Sequence, residues 1–66
     1  MNVTVNGTAR TLPEQTTLAE LLIRENARHR GTAAAVDGEV VPRRSWDTFL
    51  LTDGSSVEVL TAVQGG

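Results

Sequence analysis

Apolar and polar side chains alternate from Met1 to Val5, with Met1, Val3 and Val5 on one side and Asn2 and Thr4 on the other, the period of a half-buried strand. Asn6-Gly7 follows, a pair suited to the positive φ angles of a two-residue hairpin turn, so Thr8 to Leu12 is expected to return as an antiparallel partner. A strict two-residue turn would pair Val3 with Arg10 on the core face, which leaves two options: a bulge, or Arg10 at the edge of the sheet. Pro13 cannot donate to a ladder, and Glu14 to Thr16 reads as loop. Thr17 and Glu20 stand at the spacing of a capping box, and Leu18, Leu21, Leu22 and Ile23 supply an apolar stripe, so a helix is expected from there to about Arg30. Arg24, Arg28 and Arg30 would favour its C-terminal dipole, and Gly31 would be its left-handed cap.

Thr32 to Val36, with small alanines that permit close packing under the helix, precedes an Asp37-Gly38 turn and the short apolar run Val40-Val41, predicting strand, tight turn and short strand. Pro42 stops the second strand. Arg43 to Leu51 has no clear period and reads as irregular or short helical structure whose apolar members Trp46, Phe49, Leu50 and Leu51 belong to the core. After a turn at Asp53-Gly54, the segment Val57 to Val63 is the longest β-prone stretch and is expected to be a central strand. The order strand, strand, helix, strand, short strand, strand is that of a β-grasp fold: α+β, a mixed four- to five-stranded sheet with one main helix packed on one face and the other face partly wet. The expected core is Val3, Val5, Leu18, Leu22, Val36, Val57 and Val59, within a domain over 1–63, with 64–66 as a flexible tail ending in diglycine.

A chain of 66 residues has room for one small core and little left over for a catalytic pocket. It has no cysteine, no lysine and one histidine, which removes disulfides, thiolate metal sites and a lysine-bearing phosphate loop and argues against an autonomous enzyme. The net charge is -2 and the six arginines are scattered without aromatic interleaving, against nucleic-acid binding. Neither a membrane span nor a signal peptide is legible, so a cytoplasmic location is expected, where the sequons at Asn2 and Asn6 would not be used.

Individual candidates divide between bland and functional readings. His29 between two arginines fits a structural role at a helix end; Asp37 and Glu39 are accounted for by a turn and an exposed strand position. Arg43-Arg44 reads as a solvated pair or a contact for an acidic partner, and Trp46 as core or partner recognition. Gly65-Gly66 is either a frayed end or a bare backbone able to enter a channel too narrow for side chains, since three extended residues reach about 10 Å. A terminal carboxylate is a poor electrophile, so in the second reading another enzyme activates it and this chain is the substrate.

The segments Val5-Asn6-Gly7, Thr17 to Leu22, Ala35-Val36-Asp37-Gly38-Glu39-Val40-Val41-Pro42-Arg43, Trp46, Asp53-Gly54 and the closing Gly65-Gly66 together resemble the ThiS family of sulfur carrier proteins of thiamine biosynthesis. The resemblance spans the chain, and its most specific stretch is Val36 to Arg43 followed by Trp46. Asp37 departs from it where Asn is expected, and Ser55 where an acidic residue is common. The resemblance implies a ubiquitin-like β-grasp fold and a protein that is not an enzyme but a cosubstrate. It implies that an E1-like adenylating enzyme uses ATP to activate the carboxylate of Gly66, with Gly65 allowing the tail to thread. The acyl-adenylate would then become a thiocarboxylate with sulfur from a donor protein and deliver that sulfur to thiazole synthase. This chain would bind no cofactor or metal and would be a monomer when free. On that reading the absence of cysteine leaves the terminal acyl group as the single sulfur site, though many small proteins lack cysteine for no such reason. Leu60, Ala62 and Val63 are the expected docking face beside the tail. The alternatives are a ubiquitin-like modifier conjugated to lysines through Gly66, and a plain β-grasp interaction module with an inert tail.

Overall fold

The computed structural model describes residues 1–28 and 30–61. Among these residues five strands form one mixed sheet: β1 (Asn2–Val5), β2 (Thr8–Thr11), β3 (Thr32–Val36), β4 (Glu39–Val41) and β5 (Ser56–Thr61), in the spatial order β2-β1-β5-β3-β4. The helix α1 (Leu18–Arg24) covers one face, and a 3-10 turn occupies Arg43–Ser45. The fold is the expected β-grasp. β5 is indeed central, parallel to β1 and antiparallel to β3.

Two type I′-like turns set the hairpins. Asn6 and Gly7 hold φ of 49° and 83°, and Asp37 and Gly38 hold 51° and 87°, so each Asx-Gly pair supplies the two positive φ values that match strand twist. The first hairpin has no bulge: Val3 lies opposite Arg10 in regular register. Because β2 is an edge strand, Arg10 reaches past the core and its Nε meets Glu25 Oε2 at 2.9 Å, which resolves the conflict between a charged residue and a core-facing position. That carboxylate, by hydrogen bond and by charge, raises the already high pKa of the guanidinium.

The helix begins as expected. Thr17 N–H donates to Glu20 Oε1 at 2.9 Å and Glu20 N–H donates to Thr17 Oγ1 at 3.2 Å, completing the capping box. These bonds lower the Glu20 pKa from its ordinary 4.5, the backbone bond from Thr17 contributing most. The next amides are also satisfied from outside, Leu18 N–H by Phe49 O and Ala19 N–H by Trp46 O. The end of the helix differs from expectation: it stops at Arg24, not Arg30. Asn26 takes the left-handed conformation, φ 54°, and Asn26 N–H and Ala27 N–H return to Ile23 O and Leu22 O, the paired bonds of a Schellman motif. The cause lies in the stripe. After Leu22 the next same-face positions are Glu25 and Asn26, with no apolar side chain to bury, so extending the helix would gain no core contact. Gly31 is therefore not the helix cap, Arg28 instead reaches Asp47 at 3.6 Å, and the role expected for His29 lies outside the described residues.

Val3, Val5, Leu18, Leu21, Leu22, Ala34, Val36, Trp46, Leu51 and Val57 are among the buried core residues; a leucine side chain taken out of water there contributes roughly 2 kcal/mol. Three apolar expectations need correction. Ile23 and Leu50 are largely exposed, Ile23 because it points away from the sheet on a short helix and Leu50 because Phe49 and Leu51 flank it toward the core; Val59 is only partly buried. Of the β3 alanines, Ala34 alone is buried, since strand alternation turns Ala33 and Ala35 to the other face.

Candidate functional site

Gly65 and Gly66 lie outside the described residues, as do Ala62, Val63 and Gln64. The site therefore has to be built from the strand that leads to them. β5 runs through the middle of the sheet as far as Thr61, which lies opposite Thr32 at the start of β3. Being parallel to β1, it runs out beside the Asn6-Gly7 turn.

That turn grips the strand. Asn6 N–H donates to Val57 O at 2.9 Å, the last regular rung between β1 and β5. Beyond this point the main chain turns away into β2, and the Asn6 carboxamide takes over: Val59 N–H donates to Oδ1 at 2.8 Å and Nδ2 donates to Val59 O at 3.2 Å. A carboxamide carries the same planar donor and acceptor as a peptide group, so it stands in for the missing length of β1. Periodicity identifies Asn6 only as a turn former; its second role needed the parallel pairing of Thr4 with Ser56 and Val5 with Val57, for which a single sequence carries no local signal.

Among the described residues nothing covers the face of the sheet opposite α1. On it Leu60 is 72% exposed and pairs in register with Ala33, while Val40, 76% exposed, pairs with Ala35. Glu58 shares this face beside Ala35. An apolar strip thus crosses β5, β3 and β4, and Leu60 of the expected docking face belongs to it.

Other candidates settle elsewhere. Trp46 is 1% exposed, and its Nε1–H donates to Val41 O at 2.8 Å, so it is a core residue. Arg43 stacks over its ring at 4.6 Å from the centroid. Asp37 N–H donates to Ser56 O, and Asp37 Oδ1 accepts from Ser56 N–H at 2.9 Å, tying the turn to the start of β5. A cleft of about 380 Å³ opens there, lined by Asp37, Glu39, Val40, Pro42, Ser45 and Phe49. It also includes Val36, the register partner of Val57, and it shares Val40 with the exposed sheet face. Among the described residues no three His, Cys, Asp or Glu side chains converge to hold a metal ion, and no helix is long and apolar enough to cross a membrane.

The ThiS family model matches residues 3–66. A sulfur carrier protein, ThiS, of Escherichia coli K12 is 29% identical over 66 residues, covering the full length of both chains. The crystal structure of a thiamine biosynthesis protein (ThiS) from Geobacter metallireducens superposes with a TM-score of 0.84 at 35% identity, covering all of each chain. A solution structure of a thiamine biosynthesis protein from the same organism gives 0.80 at 35% identity, covering all of this chain and 88% of the other.

Proposed function

The chain belongs to the ThiS family, and from that premise we propose that it is a sulfur carrier of thiamine biosynthesis that works through the carboxylate of Gly66. The observation that carries this reading is the full-length match in both sequence and fold to chains described as ThiS. The site supports it in a second way. β5 lies in the middle of the sheet order, paired with β1 on one edge and β3 on the other, and the chain continues from it to the diglycine, so a braced body precedes the reactive end.

In the proposed cycle, a Gly66 carboxylate oxygen attacks the α-phosphorus of ATP held by an E1-like enzyme, releasing pyrophosphate and forming an acyl-adenylate. Hydrosulfide released by a donor protein then displaces AMP from the acyl carbon, and the resulting thiocarboxylate gives its sulfur to thiazole synthase. Gly65 contributes by lacking a side chain, so that the backbone passes a narrow channel. The body contributes recognition: the strip around Leu60 gives the activating enzyme an apolar anchor, and Ala62 and Val63 are proposed as further contacts for it. On this reading the chain is a cosubstrate in the cytoplasm, needs no cofactor of its own, and is acted on as a monomer.

Intact-mass spectrometry tests the central step. Incubation with the cognate activating enzyme, ATP and a sulfur donor should add about 16 Da, sulfur replacing oxygen, and fragmentation should place it at Gly66. A chain shortened by that residue should fold and gain nothing. An unchanged mass would sink the carrier reading, and covalent adducts on lysines of other proteins would point to a modifier instead.

A further inference from the structure

Three features outside the proposed chemistry could carry function: the cleft near Asp37, the apolar strip across the open sheet face, and the Asn6 carboxamide bound to β5. The cleft holds no buried unpartnered polar group, and the strip is already assigned above. Asn6 remains, and its geometry is not needed merely to make a turn. Left-handed φ at the first turn position would be met equally well by glycine, which has no side chain. The two bonds to Val59 are what the asparagine adds.

Those bonds fall at a particular place. Up to Val57, β5 has a neighbouring backbone on both sides; at Val59 the β1 side is supplied, among the described residues, by Asn6 alone; past it, Leu60 and Thr61 lie in register with β3. The carboxamide therefore sets the point at which β5 loses its second neighbour. Residues beyond a strand held on one edge sweep a wider volume than residues beyond a strand held on both, because each unrestrained backbone regains conformational freedom. Six residues separate Val59 from Gly66, few enough for the direction at Val59 to govern where Gly66 arrives.

We infer that Asn6 is a positioning residue for the carrier reaction, fixing the exit direction of β5 so that the docked body delivers Gly66 to the activating site. The inference rests on the carrier reading given above. Asn6 touches no reacting atom; it raises the effective concentration of the tail once the body is bound. Its loss consequently lowers turnover while leaving docking of the body intact.

Three variants separate this from a purely structural role. Asn6→Gly removes the carboxamide without straining the turn. Asn6→Asp keeps the acceptor for Val59 N–H and replaces the donor with an oxygen facing the Val59 carbonyl. Thr17→Ala removes the helix cap and lowers stability while leaving β5 untouched. With the activating enzyme, ATP-dependent pyrophosphate exchange well below the melting temperature should show kcat reduced about fivefold to tenfold for Asn6→Gly, with KM within about twofold, as expected for loss of two positioning hydrogen bonds. Asn6→Asp should fall between, and Thr17→Ala should match the parent. Unchanged kcat in Asn6→Gly, or an equal loss in Thr17→Ala, overturns the inference. Amide exchange in the free protein reads the clamp without any enzyme: Val59, whose N–H loses its acceptor, and Leu60 should exchange faster in Asn6→Gly than in Thr17→Ala, and equal rates overturn it. Failure of the parent chain to support any exchange of pyrophosphate would instead strike the carrier reading itself.

Discussion

Replacing Trp46 by Phe tests whether this residue serves the interior or a partner. The side chain is 1% exposed, its indole N–H is bonded to Val41 O at 2.8 Å, and the Arg43 guanidinium covers its ring. Phe keeps an aromatic face for Arg43 and leaves the backbone bond from Ala19 to Trp46 O in place. It cannot donate, so the carbonyl of buried Val41 loses that partner, at a cost of about 1–2 kcal/mol. The smaller ring removes packed atoms and leaves a partial void, worth about 1 kcal/mol more. The total, about 2–3 kcal/mol, is a large share of the roughly 3–10 kcal/mol expected for a chain of this length. At this size it should lower the melting temperature by roughly 10–20 °C. Urea and thermal unfolding followed by far-ultraviolet circular dichroism would measure it, and a similar urea m-value in both proteins would show that the same surface unfolds. At a temperature where both are fully folded, the thiolation rate should be equal. A stability loss under about 0.5 kcal/mol, or a rate that falls in a fully folded variant, would show that the indole acts on a partner and not on the core.

Two further outcomes follow from single contacts. The Glu20 carboxylate has its pKa lowered by its bonds to Thr17, so the stability it contributes is fully present above its ordinary 4.5 and is lost as pH falls through the lower folded value. Melting temperatures followed from pH 7 into acid should therefore drop less steeply for Glu20→Gln, which retains a capping oxygen without titrating; coincident profiles would exclude that linkage. Leu60→Thr keeps a strand-compatible side chain but removes apolar surface from a position 72% exposed, so the melting temperature should barely move while KM for activation rises about fivefold. An unchanged KM would remove Leu60 from the docking face.

Local chemistry was fully readable wherever the determining residues are neighbours. Asn6-Gly7 and Asp37-Gly38 specify their turns, Thr17 and Glu20 specify the helix start, and strand alternation places Val3, Val5, Val36 and Val57 inside, because each outcome depends on backbone sterics or a period a few residues long. The short helix was legible in principle, in the polar run Arg24-Glu25-Asn26, but the basic residues and Gly31 farther along suggested a longer one. The diglycine and the resemblance to sulfur carriers were equally matters of sequence, since they require only residue types in order. Tertiary structure alone decided the rest. It put Arg10 on an edge strand within reach of Glu25, buried Trp46 against Val41, left Leu50 and Ile23 in solvent, and brought Asn6 beside Val59 across 53 positions. Such contacts depend on which strands become neighbours, and that choice is made by burial of the whole sheet against one helix, a sum over distant residues that no local stretch of the chain encodes.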